Sequence, residues 1–153
     1  MSIRTLQELK VETPPGTRLM GLDLGSKTIG LAIADTAAII ASPFDTIKRQ
    51  KFTEDAQNLI KIINERRVGG LVFGLPIRMD GTEGSRCQST RQFAMNFLER
   101  CEIGIAFWDE RLSTSAVEKI LIGEADMSRK RRGEVIDKLA AAYILQGALD
   151  SLA

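Results

Sequence analysis

Four acidic residues are the side chains of this sequence best suited to chemistry. Asp23 lies inside an otherwise apolar segment, Leu19 to Leu24, where a charge is costly unless it is paired or binds a cation. Asp109 and Glu110 close a second apolar segment, and Asp137 lies in the first turn of a predicted C-terminal helix. Carboxylates are the ligands that hard divalent cations such as Mg²⁺ and Mn²⁺ prefer. These residues are therefore candidates for a metal-dependent active site.

Each of these carboxylates also has a structural interpretation. Asp23 could cap the turn at Gly25-Ser26, and the acidic pair at 109–110 could simply begin a loop. Strand alternation allows only one member of that pair to face the same way as Asp23; the other would face the opposite side or hold Arg111. Asp137 could simply stabilise the helix by interacting with the positive end of its dipole. Its Ala-rich neighbourhood nevertheless favours a functional role.

Basic residues lie close to the predicted C-terminal helix. Residues 128–138 contain five basic and two acidic side chains, a local net charge of +3. A polyanionic substrate needs cations for its phosphates beside carboxylates for its metal ions. The predicted nucleic-acid-binding residues are the run Arg129, Lys130, Arg131 and Arg132, extended by Lys27, Arg78 and Arg111.

The composition limits the available chemistry. The 153 residues include no His, which excludes catalytic triads, Cys-His pairs and His-ligated zinc. Cys87 and Cys101 are isolated, so two inert thiols in a reducing cytoplasm are expected. A net charge of +1 argues against a strongly basic nucleic-acid coat.

These candidates must be positioned by a mixed α/β domain. Period-two alternation predicts strands at 18–25 and 28–34, with Ile29, Leu31 and Ile33 on one face of the second strand. Pro43 predicts an edge position or a bulge in a third strand. Helical spacing predicts a helix with Thr53 as N-cap. The remaining predicted elements are a strand at 68–75, a helix at 85–100, a strand at 103–108, a capping-box helix at 115–122 and a helix at 134–149.

The predicted order is β-β-β-α-β-α-β-α-α, which indicates a single domain over 18–153. Residues 1–17 are polar and end at Pro14-Pro15-Gly16, which predicts a loosely ordered extension. No signal sequence and no membrane-spanning run is expected, which favours a cytoplasmic protein with no membrane partner.

A glycine-rich loop follows the predicted strand at 68–75. The segment 74–84 contains three Gly and one Pro, and its backbone N–H groups could hold phosphate. It lacks the Lys-Ser/Thr ending of a Walker motif, so the P-loop interpretation fails.

Four motifs together resemble the YqgF/RuvX family of Holliday-junction-resolvase-like nucleases, which are assigned to processing of pre-16S rRNA ends. They are Asp-Leu-Gly-Ser at 23–26, Gly-Leu-Pro with Met-Asp-Gly-Thr-Glu-Gly at 74–84, Asp-Glu-Arg-Leu-Ser at 109–113 and Asp-x-x-Ala-Ala at 137–141. The resemblance implies an RNase H-like fold, with a five-stranded mixed sheet whose second strand is antiparallel to the rest, flanked by helices. Arg78 is one departure, since family members often carry Asn there.

The same resemblance implies catalytic and metal-binding roles for Asp23, Asp109, Glu110 and Asp137, without deciding between Asp109 and Glu110. It implies two Mg²⁺ or Mn²⁺ ions, one to activate a water and one to stabilise the leaving 3′-oxygen. The expected function is hydrolysis of phosphodiesters at the 5′ end of pre-16S rRNA during ribosome biogenesis, by a monomer or weak homodimer.

Three alternatives stay open at this point. A Holliday junction resolvase would act on branched DNA and should be dimeric, because it makes two symmetric cuts. A catalytically silent nucleic-acid-binding module would be indifferent to EDTA and to Asp23→Asn. An actin- or hexokinase-like ATPase is suggested by the hairpin segment at 23–28, but such proteins need two lobes and this length supplies one.

Overall fold

The computed structural model describes residues 3–111 and 129–153, with side chains described from 135 in the second range. The capping-box helix predicted at 115–122 lies outside the described residues. The elements, in chain order, are α1 (Leu6–Glu12), β1 (Arg18–Leu24), β2 (Thr28–Ala34), β3 (Ala41–Lys48), α2 (Phe52–Arg66), β4 (Val68–Leu75), α3 (Ser85–Leu98), β5 (Gly104–Asp109) and α4 (Arg129–Ser151).

The five strands form one mixed sheet in the order β3-β2-β1-β4-β5. β2 pairs antiparallel with β1 and β3, whereas β1 pairs parallel with β4, and β4 with β5. The second strand is therefore antiparallel to the other four, which confirms the predicted architecture. The carboxyl ends of β1, β4 and β5 meet at one edge, where ligands gather in open α/β sheets.

Strand alternation sends each strand's side chains to two different cores. Ile29, Leu31 and Ile33 of β2 pack with α2 and α3, through residues such as Leu59 and Phe97. Ala32 and Ala34 face the opposite side and pack with α4. The α4 face uses smaller residues, so that helix lies close to the sheet.

The edge strand β3 confirms the role predicted for Pro43. The proline pairs with Ala32, and the register shifts between Leu31 and Ala32. Proline lacks a backbone N–H, so it is tolerated at a sheet edge or a bulge. Here it occupies both.

Helix α2 begins two residues earlier than predicted. Lys51, rather than Thr53, is the N-cap, and it makes no side-chain capping hydrogen bond. Asp55, in the first turn, instead fixes the residue before the N-cap, because its Oδ1 accepts the N–H of Gln50 at 2.9 Å. Phe52 is partly buried against the core, which fixes where the helix starts.

The N-terminal segment differs from the expected loose extension, because residues 6–12 form α1. The helix starts at a capping box in which the Thr5 hydroxyl accepts the Glu8 N–H at 3.1 Å and the Thr5 N–H donates to Glu8 at 2.9 Å. Leu9 is 1% exposed and packs in the core on the α4 side of the sheet. One apolar anchor and a satisfied cap thus order a largely polar stretch.

Helix α4 starts at Arg129, five residues before its predicted beginning, so the run from Arg129 to Arg132 forms its first turn. The side chains of this run lie outside the described residues. Cations in the first turn of a helix are opposed by its dipole. Helix stability therefore gives no reason for the run, whose role in binding phosphate stays a prediction. None of the described helices combines the length and apolarity needed to cross a membrane.

Candidate active site

Asp23 and Glu110 lie on the same side of the sheet, at the carboxyl edge. On β1, Leu19 packs in the core on the α4 side, so alternation places Asp23 on that side as well. Near β5, Ala106 and Trp108 belong to the same core, and Glu110 continues their parity. The Glu110 N–H donates to the carbonyl of Leu75 at 3.1 Å, which extends the pairing of β5 with β4 by one residue.

Gly74 creates the space in which these two carboxyls meet. It lies on β4, the strand between β1 and β5, and pairs with Trp108. A Cβ atom on Gly74 would lie 2.5 Å from Oε2 of Glu110 and would also overlap Ile144 of α4. Any larger residue at this position would therefore occupy the volume now taken by the Glu110 carboxyl.

The two carboxyls perturb each other. Burial, and then the charge of Asp137, raises the pKa of Asp23 to about 6. Burial, and then the charge of Asp23, raises the pKa of Glu110 to about 7. Arg86 of α3 partly offsets both increases. Such a pair holds a proton near neutral pH unless a cation replaces it.

Asp109 points elsewhere and is half-exposed. Its carboxylate binds Arg111, with the Nε donating at 2.7 Å and the backbone N–H at 3.0 Å. This hydrogen-bonded cation holds the pKa of Asp109 below its usual range. The structure thus brings Glu110 and not Asp109 beside Asp23. Arg111 forms a salt bridge with Asp109.

Asp137 reaches the site from α4. Its backbone lies directly over Gly30 of β2, so closely that a Cβ on that glycine would overlap the Asp137 carbonyl group. Gly30 pairs with Asp23, so the backbone of Asp137 lies over the strand residue next to Asp23. The Thr28 hydroxyl donates a hydrogen bond to Oδ2 of Asp137.

The turn after β1 is closed without the Asp23 side chain. The Gly25 N–H donates to the Thr28 carbonyl at 2.9 Å. Arg49 fastens the turn from outside, because its Nη1 donates to the Gly25 carbonyl at 2.8 Å and its N–H donates to the Lys27 carbonyl at 2.9 Å. The alternative role of Asp23 as a turn cap is therefore filled by backbone groups.

The donor set suits a hard divalent cation, although no preformed centre exists among the described residues. No three acidic or thiol side chains within 3–111 and 135–153 already converge on one point. Oε2 of Glu110 is buried and has no hydrogen-bond partner in the described structure. A buried carboxylate oxygen without a donor is costly, and a cation would satisfy it. Asp23, Glu110 and Asp137 offer only oxygen ligands.

Three cations lie near the acidic residues, and sequence reasoning found one of them. Lys27 was predicted, and it lines a groove of about 710 Å³ together with Asp137. Arg49 and Arg86 line the same groove but were not predicted. The sequence signal for Arg86 was its place in the first turn of a helix that follows the glycine-rich loop. Arg78 instead packs its guanidinium against Gly84 and is exposed.

Four backbone donors of the glycine-rich loop are used within the loop itself. The N–H groups of Ile77, Arg78, Gly81 and Thr82 donate to acceptors within 75–82, at 2.8 to 3.0 Å. Gly81 has a φ of +88°, a conformation that favours glycine. Phosphate binding by the remaining N–H groups of the loop stays a prediction. Cys87 is buried, and burial raises the pKa of its thiol, in line with the inert role expected for it.

Comparison with known proteins gives consistent results. Residues 17–151 match the profile of the RuvX family, described as Holliday junction resolvase. A protein of Rhodospirillum centenum named "Putative pre-16S rRNA nuclease" is 60% identical over 157 residues, covering 99% of this chain and 83% of that protein. A protein of Phenylobacterium zucineum with the same name is 56% identical, covering 99% of this chain and 98% of its own length.

Solved structures share the fold at low sequence identity. RuvC of T. thermophilus in complex with a Holliday junction substrate superposes with a TM-score of 0.54 at 10% identity, covering 90% of this chain and 96% of that chain. The fowlpox virus resolvase in complex with Holliday junction DNA gives 0.56 at 9% identity, covering 89% and 99%. These likenesses show an RNase H-like fold of the RuvC type.

Proposed function

The chain belongs to the RuvX family and is a nuclease that hydrolyses phosphodiester bonds, and from that premise we propose that it is a metal-dependent enzyme acting on the 5′ end of pre-16S rRNA. Relatives at 56 to 60% identity over nearly the whole chain carry the name of pre-16S rRNA nuclease. The observation that supports an active site is the partly buried pair Asp23 and Glu110 beside Asp137. Processing of pre-16S rRNA during ribosome assembly would take place in the cytoplasm.

Asp23, Glu110 and Asp137 would hold Mg²⁺ or Mn²⁺. When bound there, divalent cations supply an activated water and neutralise charge on the leaving oxygen. The protein's own contribution is to hold two carboxyls close together in a partly buried position that raises the pKa of each, where a bound cation would favour the ionised forms. Lys27 and Arg86 neutralise phosphate charge beside them. Asp109 positions Arg111 and is not in this set.

Resolution of four-way DNA junctions is a second candidate function. The family profile is described by that activity, and the fold is shared with resolvases. The same carboxylates and cations serve either nucleic acid, so the substrate must be separated by experiment. A resolvase also requires two copies of the active site per junction.

A cleavage panel tests these proposals. Structured precursor rRNA, single-stranded RNA and a four-way DNA junction are incubated with the wild-type protein in Mg²⁺, Mn²⁺ or EDTA. Asp23→Asn and Asp137→Asn are the site variants, and Glu65→Gln, an exposed acid at the far end of α2, is the matched control.

We expect metal-dependent cleavage of the precursor rRNA, loss of at least about 100-fold in both site variants, and no change in the control. Preferential cleavage of the four-way junction would show that the protein is a resolvase and not an rRNA nuclease. Nucleic-acid binding that is indifferent to EDTA and to Asp23→Asn, with no cleavage, would establish the silent binding module. Full activity in both aspartate variants would disprove the site.

A further inference from the structure

A basic groove lies beside the acidic residues, between the β1–β2 turn and the first turns of α3. It has a volume of about 710 Å³, and its polar lining includes Ser26, Lys27, Arg49, Arg86, Ser89 and Asp137. Three of them are cations and one is a carboxylate, so the walls carry a net positive charge. A positive groove that shares Asp137 with an acidic site is suited to an anion that extends from that site.

Arg86 is a cation of the groove whose guanidinium has no fixed partner. Within the described part of the chain its side chain makes no hydrogen bond and no salt bridge, and only its backbone carbonyl accepts a side-chain hydrogen bond, from the Thr90 hydroxyl. Its side chain is exposed, yet its charge lowers the pKa of both Asp23 and Glu110. Arg86 therefore lies between the acidic residues and the groove, with its guanidinium donors available to a ligand.

Arg49 contributes rigidity to the same groove. Its guanidinium donates to the Gly25 carbonyl at 2.8 Å, lies 3.8 Å from the carboxylate of the buried Asp55 and stacks 5.6 Å from the centre of the Phe93 ring. These contacts hold the turn that carries Ser26 and Lys27. The wall of the groove is thus organised before a ligand arrives, which lowers the entropic cost of binding.

Hydroxyl groups complete the lining. Ser26 and Ser89 are exposed on opposite sides of the groove, one on the β1–β2 turn and one on α3. Hydroxyls and cations are the side chains that contact phosphate oxygens in nucleic-acid complexes. The groove offers both kinds around one space, and a sugar–phosphate backbone presents phosphates at regular intervals.

We propose that the basic groove binds the backbone phosphate next to the scissile phosphodiester, on the Asp137 side of the site, and so fixes the register of the strand that is cut. This inference rests on the proposed nuclease function. Lys27 and Arg86 donate to the phosphate oxygens, Ser26 and Ser89 supply further donors, and Arg49 keeps the turn in place. Arg49 also stabilises the fold, so it is left unchanged in the test.

The test measures binding separately from cleavage. A fluorescein-labelled single-stranded RNA is titrated with the full chain in EDTA at several salt concentrations. Lys27→Ala and Arg86→Gln should each weaken binding about tenfold and reduce the slope of log K against log salt by about 0.7, the value for one lost phosphate contact on a single strand. Arg86→Lys should keep the slope. Lys61→Ala, an exposed lysine of α2 outside the groove, is the control and should behave as wild type.

A methylphosphonate scan then locates the contact. Replacing one charged phosphate at a time should reveal a position beside the cleavage point where wild type loses affinity and Arg86→Gln does not, since that variant has already lost the contact. If Lys27→Ala and Arg86→Gln weaken binding no more than Lys61→Ala, the groove inference is overturned while the nuclease function stands. If they weaken binding but the wild-type protein cleaves nothing in Mg²⁺ or Mn²⁺, phosphate binding by the groove stands, whereas its role in fixing the cleavage register fails together with the nuclease proposal.

Discussion

The Cβ atom that Gly74 lacks would lie 2.5 Å from Oε2 of Glu110. We expect Gly74→Ala to displace the Glu110 carboxyl and to lower nuclease activity at least about tenfold, with a stability cost of about 1–3 kcal/mol from overlap with Ile144. Activity and urea unfolding measure the two effects. Gly84→Ala is the control, because a methyl group there meets only the movable end of the Arg78 side chain. Unchanged activity in Gly74→Ala would show that the space beside Gly74 is not needed to position the Glu110 carboxyl.

Glu110 and Asp109 are adjacent in sequence but differ in surroundings. We expect Glu110→Gln to lose at least about 100-fold in cleavage rate, because it removes a charge from the buried group beside Asp23. Asp109→Asn should retain most activity, since it loses only the half-exposed pair with Arg111. Single-turnover cleavage by both variants measures the contrast. The reverse order would assign the ligand role to Asp109.

Thr28 orients the Asp137 carboxylate through its hydroxyl. Thr28→Val keeps the shape of the side chain but removes the donor. We expect a loss of about 10–100-fold in activity or in Mn²⁺ affinity measured by calorimetry, the usual effect of removing a partner of a metal ligand. Thr28→Ser retains the hydroxyl and should stay near wild type. If the Thr28→Val and Thr28→Ser variants bind Mn²⁺ equally, the hydrogen bond does not orient Asp137 for metal binding.

The raised pKa values of Asp23 and Glu110 predict an unusual dependence of stability on pH. Between about pH 4 and 7 the folded state binds more protons than the unfolded state, so the contribution of this pair to stability decreases as pH rises through that range. In EDTA, Asp23→Asn should therefore stabilise the protein more at pH 8 than at pH 5, as measured by urea unfolding.

Asp109 is a control, because its pKa shift has the opposite sign to those of Asp23 and Glu110. Its pKa is lowered, so its stabilising effect is present at neutral pH and is lost as the solution becomes acid. Asp109→Asn should accordingly be neutral or destabilising at pH 8. An Asp23→Asn variant whose stability relative to wild type is the same at pH 5 and pH 8 would contradict the buried, crowded environment of that carboxyl.

The N-terminal helix offers a matched pair of apolar residues. Leu9 is 1% exposed and Val11 is 83% exposed. We expect Leu9→Ala to reduce the free energy of unfolding by about 2–4 kcal/mol, and Val11→Ala by less than about 0.5 kcal/mol. Thermal unfolding of both variants measures the difference. Equal and small effects would restore the expectation of a loose extension.

The sheet and its two cores were predictable because strand alternation is a local property. Ile29, Leu31 and Ile33 alternate with Gly30, Ala32 and Ala34, and the structure sends the two sets to different helices. The start of α1 has a local sequence signal, since Thr5 and Glu8 have the spacing of a capping box. Its docking through Leu9 depends on a core built from distant parts of the chain.

The assembly of the site was less predictable because it depends on register between strands. Parity on β5 could have favoured Glu110 over Asp109, since Ala106, a small residue in the core that contains α4, has the same parity as Glu110. The gap at Gly74 and the position of Arg86 follow from neighbouring strands and helices that are far apart in sequence. No local pattern contains that information.

The central position of β1 and the early start of α4 together predict how the site exchanges with solvent. Asp23 lies on a strand that is hydrogen-bonded on both sides, to β2 and β4, so we expect its amide hydrogen to be among the slowest to exchange. Asp137 lies eight residues after the first residue of α4, and its backbone packs directly on Gly30. Amides in the first turn of α4 should exchange faster, because helix ends open without the rest of the fold. Opening of that turn should therefore leave both aspartates in place.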